Sequence, residues 1–381
     1  MKIVFLGFAS SFTPGMTYQD NMLCEQALKD GNDVTYLSNP EGYVNGELRY
    51  LGPQDTVLSN GLHLIRIPYV KFGNKVLSKK VRVFRGVFRI LEKEKPDVIF
   101  CHNTQYWPII DAIKYKKKHP KTAFYADTHT ASFNSGTNWL SLHILHRIYY
   151  RWLLQRAIPY LDKYFYVGES ERLFACNNYK VPEAIMEYYP LGGVVPSKEQ
   201  YQFCRRRIRE ELGIRDNMKL YIHSGKLDEK KRTEELLRAY SSVKDENSKL
   251  IIIGSIPVEM ESKIRPLIEA DNRIIYLGWK LGDVLQEYLC ACDLYCQPGS
   301  VSATMQNAVC KGCAIMAYPH LPYKTNLDWG NILWVETSED IEKVFLSLSL
   351  KPEQLDILKR NSRNCGETLL DYRKLAARIY M

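Results

Sequence analysis

Apolar runs of strand length alternate with amphipathic segments from the first residues of the chain. The nearly continuous apolar run at 2–8 is typical of a buried strand. It precedes a segment, 18–31, whose apolar residues recur at helical spacing before Gly31 closes it. Residues 33–38 again have the composition of a strand. Strand, helix and strand in succession predict a parallel, doubly wound α/β sheet.

The alternation runs through the first half of the chain and then starts again. Further strands of the first half are predicted at 63–68, 97–103, 122–129 and 163–168. Strands of the second half are predicted at 219–226, 249–255, 273–279, 293–300, 314–319 and 332–336, with helices at 232–245 and 302–312. Two such series indicate two Rossmann-like domains, each with a doubly wound parallel sheet, and we expect them to face each other across a ligand-binding cleft.

A stretch rich in proline and glycine at 188–200 marks the junction between the two series. We therefore expect an N-terminal domain over 1–195 and a C-terminal domain over 196–365. The last residues, 366–381, include a segment at 367–380 with one apolar stripe at helical spacing. We expect this segment to form a helix that returns to the N-terminal domain.

The composition is that of a globular protein with enough apolar residues for two cores. The chain has 381 residues, of which 45% are hydrophobic and 25% charged, and its formal net charge is +9. The positive charge favours anionic partners. The ten cysteines do not follow a zinc-binding spacing, so we expect reduced and mostly buried thiols in a cytosolic protein. No uninterrupted apolar run is long enough to predict a membrane span.

The first concentration of candidate chemistry is the segment 223–240. A predicted strand ends at Gly225, and a helix begins a few residues later. Glycine lets a phosphate group approach the backbone, and Lys226 and Lys231 flank the loop, where they could neutralise a diphosphate. The remaining charged residues of the segment are expected to form a solvated surface.

Four blocks that follow one another over 219–320 carry a family resemblance. They are the block of strand, glycine and lysines just described, a strand ending at Gly254, a strand ending at Gly278, and the segment "CDLYCQPGS…NAVCKGCAIMAY". Their order and spacing resemble the donor domain of retaining nucleotide-sugar glycosyltransferases of the GT-B fold, glycosyltransferase family 4. A weaker resemblance covers the N-terminal half.

The resemblance implies a donor site. Lys226 and Lys231 match the basic residues that hold the donor diphosphate in the family, and Gly225, Gly254 and Gly278 are expected beside the donor. Because two cations can stabilise the leaving diphosphate, and because the chain has no Asp-x-Asp pair, we expect no catalytic metal and no cofactor. Lysine at 226 keeps the family's charge without the forked geometry of arginine.

The loop of the fourth block lacks carboxylates. The family commonly has two glutamates eight positions apart, and the resemblance places Gly299 and Asn307 at these positions. Asn307 can still hydrogen-bond a ribose hydroxyl. Other donor contacts are expected from the start of the following helix, at Gly299, Ser300, Ser302, Ala303 and Thr304. For Ser302, simple capping of that helix is the alternative.

In the first half, candidate residues lie just after predicted strands. Gly15 lies between the first strand and the first helix, where the family places a loop beneath the donor phosphates. His129 matches the family histidine that contacts the donor sugar, and Asp127 could act as the base that activates the acceptor. His102 has a similar position but no family counterpart. Asn134 is expected in the same loop as His129.

Two basic amphipathic stretches, 78–95 and 146–160, are each expected to be helical. Packing against the core with a solvated basic face is one interpretation. Docking on an anionic membrane is the other, and it would suit a lipid-linked acceptor. The expected location is the cytoplasm, either free or at the inner face of the cell membrane. Nucleic-acid binding is not expected because no reading motif accompanies the basic residues.

The sequence and the resemblance together predict a retaining, hexosyl-type glycosyltransferase. It would move a sugar from a nucleoside diphosphate sugar to a glycan or lipid-linked acceptor during the assembly of a capsule, exopolysaccharide or lipopolysaccharide. Three alternatives stay open. One is a nucleotide-binding partner of a polysaccharide assembly complex without catalysis, another is a nucleotide-sugar epimerase of the same fold, and the third is an inactive homologue.

Overall fold

The computed structural model describes residues 1–44, 47–320, 324 and 326–380, and for Lys75 it describes the backbone alone. The chain forms two compact units. Unit 1 comprises Met1–Pro190 and Tyr372–Met381, and unit 2 comprises Leu191–Asp371. These divisions lie a few residues from the boundaries expected from the sequence, which fell after residues 195 and 365.

Unit 1 is built on a twisted α/β sheet. Its strands are β1 (Lys2–Gly7), β2 (Asp33–Ser38), β3 (Glu41–Val44), β4 (Glu47–Tyr50), β5 (Gln54–Val57), β6 (His63–Arg66), β7 (Val98–Cys101), β8 (Ala123–Thr128), β9 (Lys163–Tyr166) and β10 (Met186–Tyr188). The sheet order is β10-β9-β8-β7-β1-β2-β6-β5, and β3 pairs with β4 in a separate hairpin. All neighbours in the main sheet are parallel except β5 and β6.

The helices of unit 1 cover both faces of this sheet. The α-helices are α1 (Gln19–Lys29), α2 (Lys75–Val81), α3 (Val87–Glu94), α4 (Ile109–Lys118), α5 (Arg151–Ala157) and α6 (Glu169–Phe174). A π-helical segment, Ser141–Tyr150, leads directly into α5, and a second one, Ala175–Tyr179, follows α6. Short 3₁₀ turns occupy Ile158–Tyr160 and Glu183–Ile185.

Unit 2 has the strand order of a Rossmann fold. Its strands are β11 (Lys219–Lys226), β12 (Ser248–Ser255), β13 (Ile274–Tyr276), β14 (Leu294–Gln297), β15 (Ala314–Ala317) and β16 (Ile332–Trp334). They are parallel and follow the order β13-β12-β11-β14-β15-β16. The helices are α7 (Lys198–Glu211), α8 (Thr233–Ser242), α9 (Val258–Glu269), α10 (Gly282–Ala291), α11 (Thr304–Cys310), α12 (Ser338–Leu350) and α13 (Gln354–Cys365).

Side-chain alternation explains why both sheets are buried on two faces. In β1, Val4 packs into the core on one face of the sheet, whereas its neighbour Ile3 packs into the core on the other face. In β11, Ile222 and Tyr221 are divided between two cores in the same way. Because successive side chains of a strand point to opposite faces, a strand covered on both sides needs apolar residues at every position. This is the pattern that predicted parallel strands.

Two segments that were predicted to be continuous helices are interrupted, so both predictions are wrong. The segment 78–95 breaks between α2 and α3, where Arg82 and Gly86 have φ of 51° and 88° in the left-handed region. The segment 367–380 is a π-helical turn, Gly366–Leu370, followed by extended backbone at Asp371 and then by α14, Tyr372–Tyr380. The apolar spacing continues across each break, so spacing did not reveal it.

The C-terminal helix α14 belongs to unit 1. The hydroxyl of Tyr189 donates to the carbonyl oxygen of Leu375 at 2.8 Å, and the guanidinium of Arg378 donates to the carbonyl oxygen of Tyr188 at 2.6 Å. Leu375 and Ile379 lie in the core that also holds β1 and β2. The last helix therefore completes a core that the first residues of the chain begin.

The cysteines agree with the prediction of reduced and mostly buried thiols. All ten cysteines lie in the described part of the chain and are free, and most are buried. Burial raises the pKa of the Cys290 thiol to about 12 and that of Cys365 to about 12, which keeps both thiols neutral and unreactive. Among the described residues, no helix combines the length and the apolar character needed to cross a membrane.

Candidate functional site

The first candidate site lies in unit 2, where the strand order reverses between β11 and β14. In open parallel sheets, ligands bind beyond the carboxyl ends of the strands at this point. The carboxyl end of β11 contributes Gly225 and Lys226, and β14 leads directly into the loop that contains Gly299. The structure therefore places Gly225, Lys226 and Gly299 at one edge of the sheet of unit 2.

Three glycines let the backbone pack closely at this edge of the sheet. A Cβ atom on Gly254 would lie 1.8 Å from the carbonyl oxygen of Gly225, so β11 and β12 end in direct backbone contact. A Cβ atom on Gly299 would lie 2.1 Å from the carbonyl oxygen of Lys230. The amide of Ser300 donates to that same carbonyl at 2.8 Å. The loop after β11 and the loop after β14 are thereby joined.

This contact accounts for the glycine at position 299, where the family resemblance alone would place a glutamate. A side chain there would collide with the backbone at Lys230 and Lys231, which is not the flexible end of a side chain and cannot swing away. Glycine is therefore needed at 299 by the packing of the two loops. The carboxylate could be restored only if one loop moved.

Gly299→Ala is expected to lower the free energy of unfolding of unit 2 by roughly 1–3 kcal/mol, because even a methyl group overpacks the contact. It should also weaken the binding of nucleoside diphosphates. Urea unfolding and calorimetric titration check the two effects. The control is Gly213→Ala, where φ is +64° and nothing lies within 4 Å of the added Cβ, so that only backbone strain of about 1 kcal/mol is expected. Equal losses in both variants would contradict the packing explanation.

The two predicted lysines differ in their surroundings. Lys226 is exposed at the end of β11. Lys231 is only 8% exposed, and its Nζ atom lies 3.5 Å from the position of a Cβ on Gly225. Burial lowers the pKa of Lys231, while the nearby charge of Asp228 partly opposes the shift. Within the described ranges, no carboxylate oxygen lies within 4.0 Å of the Nζ atom of Lys231, which is the distance limit for an ion pair.

Side chains that the sequence did not single out support these loops. Arg232, expected to be solvated, donates to the carbonyl oxygens of Pro298 at 3.1 Å and Glu336 at 3.0 Å, and it pairs with Glu235. His223 is fully buried between the carbonyl oxygen of Cys296 and the hydroxyl of Thr233, and burial lowers its pKa to about 4. No local pattern distinguishes either residue, because the backbone carbonyls of Cys296, Pro298 and Glu336 that they contact are distant in sequence.

A buried chain of hydrogen bonds fixes the start of the loop after β14. The hydroxyl groups of Ser224 and Tyr295 lie 3.0 Å apart, and Tyr295 donates to the side-chain oxygen of Gln297 at 3.2 Å. The amide nitrogen of Gln297 then donates to the carbonyl oxygen of Ser300. The end of β11 and the turn at Ser300 are therefore held by one polar network.

The remaining predicted donor residues lie around the first turn of α11. The amide of Thr304 donates to the hydroxyl of Ser302 at 3.3 Å, but the N-cap position of α11 is Ala303 and it has no side-chain cap, so Ser302 is not the capping residue that one interpretation predicted. Ala303 is exposed just before the helix, and its carbonyl oxygen accepts from Asn307 at 3.5 Å. Ser302, Thr304 and Asn307 are half-buried. Asn307 therefore faces the same turn as the hydroxyl-bearing residues.

Two predicted glycines have local structural reasons. Gly278 follows β13 with φ of +66°, and its carbonyl oxygen accepts from the amide of Gly254 at 2.9 Å. Gly15, in unit 1, is exposed in a turn with φ of +79°. Both glycines occupy turns that favour glycine, so their conformations need no ligand to explain them. Their role in donor binding stays a prediction.

The second candidate site lies in unit 1, where the strand order reverses between β1 and β7. The Nδ1 atom of His102, just after β7, lies 2.9 Å from Oδ2 of Asp127 in the neighbouring strand β8. The Nε2 atom of His129 lies 3.3 Å from the same oxygen. The amide of Asn103 donates to the other carboxylate oxygen of Asp127 at 2.5 Å. Asp127 thus joins two imidazoles and a backbone amide.

The charges in this cluster are strongly coupled. Burial favours the neutral form of His102, but the negative charges of Asp127 and Asp20 outweigh it and raise its pKa to about 9. Burial alone would raise the pKa of Asp127, but His102 and His129 hold it well below its usual value. Asp127 has no exposed surface. A buried carboxylate of low pKa is a poor base toward an acceptor, which disfavours the role expected for Asp127.

The cluster instead positions His129, the only one of its three side chains that is more than marginally exposed. The amide of His129 donates to the side-chain oxygen of Asn103 at 3.0 Å, and the side chain of Asn134 donates to the carbonyl oxygen of His129 at 2.8 Å. His102, for which the resemblance gave no family counterpart, is the third member of the cluster. The signal for it was its place at the end of the strand next to β8.

The same cluster is where a metal ion could bind. The candidate ligand atoms of His102, Asp127 and His129 all lie within 4.8 Å of one another. The hydrogen bonds between them account for this arrangement without an ion.

Comparisons with known proteins agree with the fold of both units. Residues 205–364 match the family model described as glycosyl transferases group 1, and no curated protein matches the chain. The structure of Anabaena HepE in complex with UDP has a TM-score of 0.66 at 13% identity, covering 100% of this chain and 98% of that chain. Sucrose-phosphate synthase from Thermosynechococcus elongatus has 0.64 at 12%, covering 99% and 96%. WaaG, a glycosyltransferase involved in lipopolysaccharide biosynthesis, has 0.60 at 14%, covering 99% of each chain.

These similarities define the class of fold. The two units are the Rossmann-like domains of a GT-B fold, as the sequence predicted. The family match falls within unit 2 and contains every donor-site residue predicted there. The family match and the fold together support a GT-B glycosyltransferase.

Proposed function

We propose that the chain is a retaining, hexosyl-type glycosyltransferase that uses a nucleoside diphosphate sugar as donor and a glycan or lipid-linked acceptor. It would act without a metal or another cofactor, in the cytoplasm or at the inner face of a bacterial cell membrane. Its product would enter a capsule, an exopolysaccharide or a lipopolysaccharide. The family match over 205–364 and the UDP complex of the structural neighbour HepE support the donor class.

One observation carries this proposal. The ammonium group of Lys231 is buried beside Gly225 at the strand-order reversal of unit 2, and in the described chain it has no carboxylate partner. A buried cation costs free energy unless an anion balances it. A diphosphate placed beside Gly225 would supply that anion.

The chemistry follows from the position of the charge. When the glycosidic bond of the donor breaks, the bonding electrons remain on the diphosphate oxygen, and negative charge grows there. Lys231 would stabilise the transition state, in which this charge has grown, more strongly than the ground state, because its ammonium group is buried. Lys226 would add a weaker contribution, since it is exposed and screened. From the family resemblance we propose that His129 contacts the donor sugar, and that Asp127 and His102 hold its ring.

The proposal predicts turnover of at least one nucleotide sugar in the presence of EDTA. The protein should be incubated with a panel of uridine, guanosine, adenosine, cytidine and thymidine diphosphate sugars, beginning with UDP sugars. Release of the nucleoside diphosphate measures donor cleavage, and NMR of a transferred sugar reports whether its anomeric configuration is retained. Strict dependence on added Mn²⁺ or Mg²⁺ would contradict a metal-free mechanism and favour an ion at the His102 cluster.

A second candidate is a nucleotide-binding protein without catalysis. The packing at Gly299 favours it, because this contact excludes the carboxylate that the family commonly has at that position. Binding of a nucleoside diphosphate with no turnover of any donor in the panel would establish this function. An epimerised nucleotide sugar formed without an acceptor would instead establish an epimerase.

A further inference from the structure

Unit 1 contains a large cavity of about 740 Å³, and His129 is one of the residues that line it. Its walls come from α2, from the loop after β8 and from the π-helical segment Ser141–Tyr150. A volume of this size suits a small organic ligand. The cavity thus connects the histidine proposed to contact the sugar with the surface of unit 1.

One wall of the cavity is cationic. Lys80 is exposed there, and the guanidinium of Arg82 donates to the carbonyl oxygen of Gln105 at 3.1 Å. Across the described residues, no carboxylate forms an ion pair with either side chain, and the lining itself contains no Asp or Glu. Burial together with the charges of Arg82 and Lys80 lowers the pKa of His146, another lining residue, to about 4. The positive field is therefore available to an anionic ligand.

Four exposed apolar residues line the same cavity. Val76 and Leu77 on α2 have 68% and 46% of their surface in solvent, and Leu140 and Ile144, at the start of the π-helical segment, have 63% and 41%. Single exposed apolar residues are common, but a cluster around a cavity marks a binding surface. We define these four residues as the apolar rim.

We propose that this cavity binds the acceptor, and that the acceptor is a lipid-linked phosphate. Its phosphate would lie against Lys80 and Arg82, and its hydrocarbon chain would leave over the apolar rim. A free sugar phosphate would use the cations and leave the rim in water, whereas a neutral glycan would use neither. The inference rests on the proposed glycosyl transfer and names the acceptor class for it.

Binding of a polyprenyl phosphate tests the inference without a nucleotide. Phosphatidylcholine vesicles that contain the polyprenyl phosphate should bind the wild-type chain in a flotation or tryptophan fluorescence assay. Lys80→Glu should weaken this binding at least tenfold, and the double variant Leu77→Ser, Ile144→Ser should weaken it to the same extent. Added inorganic phosphate should have no effect on the binding of the vesicles. The substituted side chains are exposed, so folding should be unchanged, which circular dichroism checks.

Matched comparisons separate the sources of binding. Lys121→Glu makes the same charge change on an exposed lysine that precedes β8, at the amino-terminal ends of the strands. This variant should bind as the wild type does. Equal binding to vesicles with phosphatidylglycerol of the same total charge would overturn the inference in favour of a general anionic membrane surface. Equal binding of inorganic phosphate would overturn it in favour of a soluble phosphorylated acceptor. Unchanged binding by Lys80→Glu would exclude the cavity.

The nucleotide assays keep the two proposals apart. If polyprenyl phosphate binds at the cavity but no nucleotide sugar is cleaved, the proposed transfer fails and the lipid phosphate site stands as a site of unknown use. If nucleotide sugars are cleaved but polyprenyl phosphate binds no better than polyprenol, the acceptor class is wrong and the transfer stands.

Discussion

Lys231→Met is expected to reduce turnover of the nucleotide sugar by at least about a hundredfold, because it removes the buried cation nearest the expected diphosphate. Methionine has a similar length and no charge. The cost of burying an unbalanced ammonium group disappears with it, so the ligand-free variant should unfold at the same temperature as the wild type or a higher one. Loss of activity with unchanged or increased stability would distinguish a ligand-binding lysine from a structural one.

The measurements are donor cleavage and the rise in melting temperature caused by a nucleoside diphosphate. A ligand that binds only the folded state stabilises it more the tighter it binds, so the variant should lose most of this rise. Lys226→Met should lose about tenfold in turnover, because the exposed charge is screened by solvent.

The control is Lys263→Met, which removes an exposed lysine on α9 of the same unit and should change neither quantity. Wild-type turnover and ligand stabilisation in Lys231→Met would refute the proposed donor site.

Asp127→Asn is expected to lower the free energy of unfolding of unit 1 by about 3–5 kcal/mol. The substitution removes the carboxylate nearest to the buried His102, and the single side-chain oxygen of asparagine cannot accept from both His102 and the amide of Asn103. Urea unfolding at neutral pH measures the loss. Asp33→Asn is the control, because Asp33 pairs with Lys2 at 3.2 Å on the surface and such a pair contributes at most about 1 kcal/mol.

The same cluster predicts how stability depends on pH. The pKa of His102 is about 9 in the folded protein and about 6.5 when unfolded, so its contribution is fully present below about pH 6.5 and is lost as pH rises through 9. The loss amounts to roughly 3 kcal/mol. The contribution of Asp127, whose pKa is lowered on folding, is present above the unfolded value near 3.9 and is lost only in strong acid.

His102→Gln and Asp127→Asn should both flatten the decline between pH 6.5 and 9. A decline of the same slope in the wild type and in His102→Gln would show that another group causes it.

Much of the donor site could be predicted from the sequence because its residues are close to the ends of strands. Gly225, Lys226 and Gly299 follow β11 and β14, and parallel strands place such residues at one edge of the sheet. The sequence could not predict that Lys231 is buried while Lys226 is exposed. That difference depends on a backbone contact between Lys230 and Gly299, which are far apart along the chain.

The role of His102 could not be predicted for the same reason. Its position after a strand was visible, but its charge depends on Asp127 and Asp20, which come from β8 and from the start of α1. Arg232 was predicted to be solvated because it lies in a run of charged residues. Its guanidinium instead donates to the backbone carbonyl oxygens of Pro298 and Glu336 and so connects its own loop to two others.

The sequence by itself did not predict β3, β4 and β5, which pair antiparallel, but it determined the parallel strands of the two Rossmann-like series, except β10, and the glycine and lysine positions of the donor loop. These depend on local spacing and on the apolar character of strands that are buried on both faces. Only the tertiary structure decided which lysine is desolvated, which histidine is charged, where α2 and α14 begin, and how an apolar rim adjoins a cationic wall in unit 1. Desolvation and charge coupling act through space between distant segments, and a pattern read along one chain does not record which segments become neighbours.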